Sequence, residues 1–414
     1  MPREESLTVT TILAALADTF DITAIPPAFA EDPFPTYRAL LEHAPVKHFA
    51  DGSIMLSRYA DLDRVYRDTK AFSSDKKVEF LPKYGDTPLY EHHTTSLVFN
   101  DPPLHTRVRK IMMGALTPRA ISAMEPGLIR LVDSLLDAME EKGEVDLIED
   151  FAAAIPLEVI GNLFVMPHEE RGPLRDWSLA ILGALEPVLS EEQKERGNRA
   201  VEDFKAYLKD LVARRRKNPG DPATDVLTRL INGTPEGEEL SETELLQNCI
   251  FILNAGHETT TNLIGNALFE LLDWPGEKQR LEAEPGMIDT AVDEFLRFQS
   301  PNQLGNRMTT EDVEFHGETI PAGTRIHLCI GAANRDPRQF TEPDRLDLSR
   351  KPNRHLAFAQ GPHLCAGFSL ARLEGRIAIA RFLKRFPNYR LAGEPRRTGR
   401  VRFRGFASLP AQVN

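Results

Sequence analysis

The hydrophobic positions along the chain repeat mainly with a helical period, and the strongest such pattern runs from Ser241 to about Leu272. Ser241 and Glu244 have the spacing of a capping box at its start, and Trp274 followed by a proline marks its end. The pattern corresponds to about thirty residues, on the order of 45 Å of helix. Residues 249–255 are apolar on nearly every face, so the helix is predicted to pass through the protein interior.

Four short segments with strand character interrupt the helical patterns. Residues 46–49 and 54–57 flank an Asp-Gly pair at Asp51 and are predicted to form a hairpin. Similar segments occur at 313–315 and 325–329. No stretch looks like a long interdomain linker, and no repeat of fixed period is present. The pattern therefore predicts a mainly helical chain with a few short strands.

Composition and charge exclude several classes of protein. The 414 residues are 41% hydrophobic and 27% charged, which is ordinary for a globular protein. A formal net charge of -12 argues against a nucleic-acid partner, because phosphate binding needs a basic surface. Glu4 and Glu5 stand where a signal peptide carries positive charge, and the apolar stretch from Ile12 is too short to span a bilayer. We therefore expect a cytoplasmic protein without a membrane anchor.

Polar residues interrupt the buried helix halfway along its length. Gly256, His257 and Glu258 are followed by three threonines, which are poor helix formers and costly to bury. Taken alone, this run is more typical of a helix kink or a surface turn than of a reactive site. His257 and Glu258 also begin an HExxH zinc pattern, but Thr261 stands where the second histidine belongs, so a metalloprotease is excluded.

The three cysteines are an odd number at wide spacing, which suits neither a disulfide framework nor a zinc site. They are Cys249, Cys329 and Cys365. Cys365 directly precedes a helical pattern, and a helix N-terminus is expected to lower the pKa of a thiol below its usual value of about 8.5. Gly361 permits a tight turn, Gly367 permits close approach of a flat ligand, and Phe358 can shield the sulfur from water. A single buried cysteine before an amphipathic helix is otherwise unremarkable.

The spacing of Phe358, Gly361, Cys365 and Gly367 resembles the haem-binding signature of the cytochrome P450 family. The sequence departs from the commonest form at Ala359, where a second glycine is usual. The resemblance implies that Cys365 is the axial thiolate ligand of haem b. A thiolate ligand favours cleavage of the O–O bond over reversible binding of oxygen, so the expected task is oxygen activation.

The polar middle of the long helix resembles the oxygen-activation motif of the same family. The motif residues are Ala255, Gly256, Glu258 and Thr259. In the family the helix opens slightly at this point, and Ala255 and Gly256 lie beside the haem. The resemblance implies that Thr259 contacts oxygen and that Glu258 delivers protons to it.

Other residues match family positions that hold the cofactor or the scaffold. The positions implied to bind the haem propionates are His105, Arg109, Arg307 and His355. Burial of two carboxylates requires such cations or donors, although any one of these residues is as readily a solvated surface group. The positions implied to form a structural triad are Glu294, Arg297 and Arg345. Alone, a Glu-x-x-Arg pair at one helical turn says little.

The resemblance covers nearly the whole chain and implies a mainly α-helical fold with a small β-rich lobe. We expect one domain over 1–414, with the β-rich part mainly at 30–60 and 300–330 and haem between the long buried helix and the cysteine loop. Only about fifty residues follow Cys365. No fused reductase is therefore expected, and electrons should come from NAD(P)H through a ferredoxin and its reductase to a monomeric monooxygenase.

The implied substrate is a small hydrophobic or aromatic molecule that is hydroxylated or O-demethylated with O2. The positions expected to line its pocket are Thr95, Leu97, Val98, Phe251, Asn254, Gln303, Gly305 and Phe406. Lys83, His92 and His93 indicate either an acidic or polar substrate group or solvated loop charges. Two alternatives remain, a non-catalytic haem sensor or carrier and a peroxide-driven peroxygenase. The acid and alcohol at Glu258 and Thr259 count against the peroxygenase.

Overall fold

The computed structural model describes residues 2–114, 116–234 and 236–413. The helices are α1 (Pro2–Thr19), α2 (Pro27–Glu31), α3 (Phe34–His43), α4 (Tyr59–Arg67), α5 (Lys77–Tyr84), α6 (Pro88–Thr95), α7 (Leu104–Met113), α8 (Pro118–Lys142), α9 (Ala154–Leu163), α10 (Leu174–Gly183), α11 (Glu191–Lys217), α12 (Val226–Asn232), α13 (Glu242–Asp273), α14 (Pro275–Ala283), α15 (Ile288–Phe298), α16 (Ile330–Ala333) and α17 (Phe368–Arg385).

Short strands form the remaining regular structure. They are β1 (Val46–His48), β2 (Ile54–Leu56), β3 (Phe72–Ser73), β4 (Glu144–Asp146), β5 (Leu304–Thr309), β6 (Val313–Phe315), β7 (Glu318–Ile320), β8 (Arg325–Cys329), β9 (Arg390–Leu391), β10 (Arg396–Arg397), β11 (Phe406–Ser408) and β12 (Pro410–Gln412). Five of them make the largest sheet, in the order β1-β2-β8-β5-β3. The predicted hairpin is its edge, with Val46 opposite Leu56. The parallel pair β2 and β8 joins this hairpin to the segment predicted at 325–329.

The long helix α13 is the axis of the helical part. Its capping box is present, because the Ser241 hydroxyl accepts from the Glu244 N–H (3.2 Å) and the Glu244 carboxylate accepts from the Ser241 N–H (2.9 Å). Most of its side chains are buried along all faces. It packs against α9, α10, α11 and α17. The sequence therefore located both ends of this helix to within one or two residues.

Helix α15 is tied to the segment before the cysteine loop by a buried ion pair. Glu294 and Arg297 pair at 2.8 Å with both side chains fully buried. The third member is Arg350, whose Nε lies 3.1 Å from the Glu294 carboxylate. Arg345, the residue predicted for this role, contributes only its backbone carbonyl to Arg297 (3.2 Å). Its side chain is 58% exposed and pairs with Glu342, so the assignment of Arg345 to the triad is wrong.

The two ends of the chain meet near the sheet edge. The Arg404 guanidinium donates to the backbone carbonyls of Ala30 (2.8 Å) and Glu31 (2.7 Å). Its Nε donates to the side-chain oxygen of Gln299 (3.1 Å).

Within the described ranges, no helix is both long enough and apolar enough to span a bilayer.

Candidate active site

The Cys365 loop turns sharply before α17 begins. The Cys365 N–H donates to the Phe358 carbonyl at 2.9 Å and closes the loop. Gly361 has φ +66°, and a Cβ there would collide with the carbonyl oxygen of Tyr66, so only glycine fits. Ala359 also has a positive φ of 57°. The family's usual glycine at this position is thus explained by backbone geometry, and alanine here costs on the order of 1 kcal/mol.

The Cys365 thiol is half-buried, and its surroundings act in two directions. Burial raises its pKa above the ordinary value, while the Gly367 N–H and the charges of Arg109 and Arg372 oppose that rise. Burial thus opposes the lowering that the helix terminus is expected to produce. A coordinating metal cation supplies the missing stabilisation of a thiolate.

Cationic donors from three elements surround the Cys365 loop. The rings of His105 on α7 and His363 in the loop lie 4.0 Å apart. The Nε2 atoms of both, and Nε of Arg307 on β5, are buried without a hydrogen-bond partner in the described part of the chain. Arg109 donates to the Leu364 carbonyl at 2.7 Å. Because buried donors without partners are costly, this set of two imidazoles and two guanidinium groups fits a ligand that brings carboxylates, as the haem propionates do.

The loop also leaves room for a flat ligand. A Cβ built on Gly367 would meet no atom within 4 Å, whereas one on Gly361 would strike its neighbour. The Phe358 ring lies under the Arg372 guanidinium at 4.9 Å from its centroid and beside Phe368. The residues present therefore fit a haem held above Cys365.

His355 lies apart from the other predicted propionate partners. Its Nε2 is 3.4 Å from the Asp293 carboxylate, and its ring centroid is 5.7 Å from that of Phe358. The structure places His363 in the position that the sequence interpretation gave to His355. His363 stands two residues before Cys365, so its place inside the motif was the signal that could have found it. Burial and the nearby cations lower the pKa of His363 to about 2, so its ring is neutral and can donate one hydrogen bond.

One stripe of side chains along α13 is less completely buried than the other sides of this helix. Phe251, Ala255 and Thr259, each four residues apart, are half-buried while most of the helix is buried. The Thr259 hydroxyl donates to the Ala255 carbonyl at 2.9 Å. The helix is continuous here, so the slight opening expected from the family is absent. A Cβ on Gly256 would strike Ile160, so this glycine serves close packing of α13 against α9.

The carboxylate of Glu258 is buried and bound to an arginine that the sequence did not indicate. Arg400 Nη1 lies 2.5 and 2.7 Å from the two oxygens of Glu258. Arg400 Nη2 donates to the Leu179 carbonyl at the end of α10 (2.7 Å). Burial raises the pKa of Glu258 to about 7, although Arg400 acts to lower it. An acid with this pKa both gains and loses its proton near neutral pH.

A zinc site has no support in the geometry. Thr261, in the place of the second histidine, donates to the His257 carbonyl at 3.0 Å. Across residues 2–114, 116–234 and 236–413, no group of three or more His, Cys, Asp and Glu side chains could hold a metal ion.

Five of the predicted pocket residues lie together on or against α13. Asn248 accepts from the Leu97 N–H (3.0 Å) and donates to the Thr95 carbonyl (3.5 Å), so the segment from Thr95 to Val98 is tied to the helix. Phe251 and Val98 pack against the same core. Asn254 is 1% exposed, and neither polar atom of its side chain has a partner among the described residues.

The other three predicted pocket residues point elsewhere. Gln303 donates to the Ser300 carbonyl (2.6 Å) and its side chain lies against Gly331. Gly305 faces the Tyr66 hydroxyl. Phe406 stacks at 4.8 Å on Phe269, well beyond Thr259 along α13. Gln303, Gly305 and Phe406 thus contact residues outside the stripe, and their place in the substrate pocket stays a prediction.

Comparison with known proteins agrees with this geometry. The family model described as Cytochrome P450 matches residues 175–395. A biotin biosynthesis cytochrome P450 of Bacillus subtilis is 37% identical over 353 residues, covering 83% of this chain and 88% of the relative. A vitamin D(3) 25-hydroxylase of Pseudonocardia autotrophica is 38% identical over 368 residues, covering 88% and 89%.

A solved structure has the same fold. The crystal structure of P450BioI in complex with hexadec-9Z-enoic acid ligated acyl carrier protein superimposes with a TM-score of 0.87 at 34% identity. The match covers 94% of this chain and 100% of that one. The mainly helical fold, the haem b cofactor, O2 as co-substrate and reducing equivalents delivered from NAD(P)H through redox partners follow from this relationship. The chain belongs to the cytochrome P450 family of monooxygenases.

Proposed function

We propose that the enzyme inserts one oxygen atom of O2 into a small hydrophobic or aromatic substrate, by hydroxylation or O-demethylation. Electrons come from a separate ferredoxin and its NAD(P)H-dependent reductase, and the enzyme works as a cytoplasmic monomer. Haem, when bound, supplies the activation of oxygen. The observation that carries the proposal is the pairing of a hydroxyl, Thr259, with an acid whose pKa is about 7, Glu258, on the buried helix that packs against α17, the helix that follows Cys365.

The residues proposed to hold the cofactor are those of the Cys365 loop and its cationic surroundings. Cys365 Sγ would bind the haem iron. His105, Arg307 and His363 each have one buried nitrogen without a hydrogen-bond partner among the described residues, and they would bind the propionates together with Arg109. His363 replaces His355 in this role because His355 is engaged with Asp293.

Proton handling is assigned to Glu258 and Thr259. Glu258 holds a proton near neutral pH because it is buried, and the contact with Arg400 keeps its pKa from rising further. The Thr259 hydroxyl has one donor and two acceptor positions, of which only the donor is used, toward Ala255. A hydroxyl of this kind can accept a hydrogen bond at Oγ1 from the acid's side and reorient to donate into the half-buried stripe.

The substrate is proposed to lie along the stripe of Phe251, Ala255 and Thr259, with Leu97 and Val98 beside it. These side chains are apolar apart from the threonine, so most of the recognition is hydrophobic. Asn254, with two buried polar atoms without partners, is available to orient a polar group. A vitamin D(3) 25-hydroxylase among the relatives supports an apolar substrate class.

The test is turnover with purified components. Wild-type protein, a ferredoxin, its reductase and NADH should consume oxygen and form an oxygenated product with a member of a library of aromatic, terpenoid and fatty acids and alcohols. Thr259→Ala should still bind the substrate but divert reducing equivalents to hydrogen peroxide, by roughly tenfold or more relative to product. Thr260→Ala, the same change at the neighbouring position, should behave as wild type.

Two results would contradict the proposal. Wild-type protein that reduces oxygen only to peroxide with every binding compound would favour a sensor or carrier. Product that forms with added peroxide but never with the ferredoxin system would favour a peroxygenase. Full coupling in Thr259→Ala would remove that residue from proton transfer.

A further inference from the structure

A buried arginine in the loop between β10 and β11 has no partner. Arg402 is 9% exposed, and its Nε is buried without a hydrogen bond. Its guanidinium forms no hydrogen bond and no ion pair with any residue of the described ranges. A guanidinium carries five donors and a permanent charge, so burial without an anion is unfavourable by several kcal/mol. The arrangement indicates that an anion belongs beside it.

The loop that carries Arg402 is firmly held, so the missing partner is not a result of loose packing. The backbone N–H groups of Val401 (2.9 Å) and Arg402 (3.1 and 3.2 Å) donate to the Glu186 carboxylate. On the other side, the Arg402 carbonyl accepts from the Gln303 N–H at 2.7 Å. The backbone of this residue is therefore fixed from both sides, and its side chain is presented in a defined direction.

The acidic residues nearest to Arg402 are already engaged. Glu186 is used by the two backbone N–H groups of the loop, and Glu79 pairs with Lys76 at 2.7 Å. Lys83 donates to the Glu186 carbonyl at 2.8 Å and adds a further cation. Burial lowers the pKa of Lys83 to about 7, and the positive charge of Arg402 contributes to that shift. Around Arg402 the cationic side chains thus outnumber the carboxylates. A bound anion would balance this excess of positive charge.

The position of Arg402 connects it with the substrate stripe and with solvent. Arg400, two residues earlier, reaches Glu258 on α13. A half-open groove of about 550 Å³ runs between residues 23–30, the end of α10 and residues 398–401, and Glu186 and Val401 line it. Arg402 directly follows Val401, which lines this groove, so the loop that carries it lies between solvent and the contact of Arg400 with α13.

From these contacts we infer that Arg402 binds the carboxylate of the substrate, so that the preferred substrates are apolar monocarboxylic acids whose apolar part lies along Phe251, Ala255 and Thr259. This inference rests on the proposed function and narrows its substrate class. The same carboxylate chemistry is present in the haem propionates, which the test must separate from a substrate acid.

The test compares acids with neutral molecules of the same shape. Ferric holoprotein is titrated with dodecanoic acid and dodecan-1-ol, and with 4-phenylbenzoic acid and 4-phenylbenzyl alcohol, and binding is followed by the shift of the haem absorption band. Wild-type protein should bind at least one acid roughly tenfold more tightly than its alcohol. Arg402→Gln should lose that preference and leave the affinity for the alcohols within about twofold. Arg396→Gln, an equal change of charge on the exposed start of the same loop, should leave the preference unchanged.

Several outcomes would overturn the inference. Wild-type protein that prefers neither acid, or an Arg402→Gln variant that keeps the preference, would show that Arg402 does not bind the substrate anion. Equal loss of acid and alcohol affinity would give Arg402 a structural role. A fall in haem content of Arg402→Gln would assign it to a propionate. Product formation from a neutral substrate by Arg402→Gln would show that the monooxygenase function stands even where this inference fails.

Discussion

At the scale of single residues, the site depends on groups whose charge is set by burial. The Cys365 thiol has a raised pKa despite its place before α17, and His363 has a strongly lowered one. Burial causes both shifts, and the observation that fits a ligand with carboxylates is the set of buried donors on His105, Arg307 and His363 that have no hydrogen-bond partner among the described residues.

The first residue-scale prediction concerns Cys365. Cys365→Ala should abolish the thiolate-type absorption spectrum of the reduced carbon monoxide complex, because no other sulfur can reach the same position. Cys249→Ala is the matched control, since that thiol is fully buried in α13 and should leave the spectrum unchanged. An unaltered spectrum in Cys365→Ala would remove the assignment of the ligand.

The second residue-scale prediction concerns the pH dependence of turnover. Proton delivery requires protonated Glu258, and with a pKa of about 7 the protonated fraction falls as pH rises through neutrality, so the rate should fall with it. Arg400→Gln removes the charge that favours the carboxylate and should move this fall to higher pH by roughly one unit. Glu258→Gln should eliminate the titration, and Arg396→Gln should not shift it. A profile in Arg400→Gln that coincides with wild type would contradict the role of the pair.

Residue roles were predictable from sequence only where the chemistry is local. Cys365 and Thr259 lie inside short motifs whose spacing is visible along the chain. Arg400 contacts Glu258 across 142 positions, and no local pattern marks it. His355 and His363 both stand near the motif, and only their three-dimensional contacts distinguish them.

At the scale of elements, α15 and the segment after α16 are joined by a buried charge cluster. The side chain of Arg350 should therefore contribute to the free energy of unfolding, and that of Arg345 should not. Arg350→Ala leaves Glu294 with one buried partner fewer and should lower the free energy of unfolding by about 2–3 kcal/mol. Arg345→Ala removes only an exposed pair with Glu342 and should change it by less than about 0.5 kcal/mol. Denaturant unfolding of the two holoproteins measures both values, and equal losses would contradict the assignment.

The elements themselves were predicted with uneven success. Helix α13 was located because its capping box, its terminating proline and its all-round apolarity are local signals. The strands at 46–48, 54–56 and 325–329 were found from their alternation and turn residues. The directions of Gln303 and Phe406 were not found, because the face that a side chain takes in a short strand is set by pairing with distant strands.

At the scale of the whole molecule, two buried groups shape the pH dependence of stability. Burial lowers the pKa of one, a histidine, and raises the pKa of the other, a carboxyl group. His257 is buried with a folded pKa of about 4 against an ordinary 6.5, so the unfolded chain takes up the proton first and stability falls as pH drops from 6.5 to 4. The loss is about 3 kcal/mol at most for this group. His257→Leu should flatten that acid limb of a plot of unfolding free energy against pH. A limb of unchanged steepness would show that other groups control it.

Glu374 on α17 is expected to lower the stability of the protein as the pH rises. Its Oε2 is buried without a partner in the described structure, and burial raises its pKa to about 8 from an ordinary 4.5. The folded protein keeps this proton while the unfolded chain loses it, so stability falls as pH rises from 4.5 to 8. Glu374→Gln should therefore gain stability relative to wild type as pH increases over that range, measured by denaturant unfolding at several pH values. A constant difference between the two proteins would contradict the buried, neutral carboxyl.

The hydrogen bonds between Arg404 and residues 30 and 31 have a consequence for how the chain folds. These hydrogen bonds join positions 374 and 373 apart in the chain, so this contact closes a very large loop. Closing such a loop is entropically expensive and slow. During synthesis, the region of Cys365 leaves the ribosome before Arg400, Arg402 and Arg404 do. The contacts of this loop with the first part of the chain can thus form only after Cys365 has been synthesised.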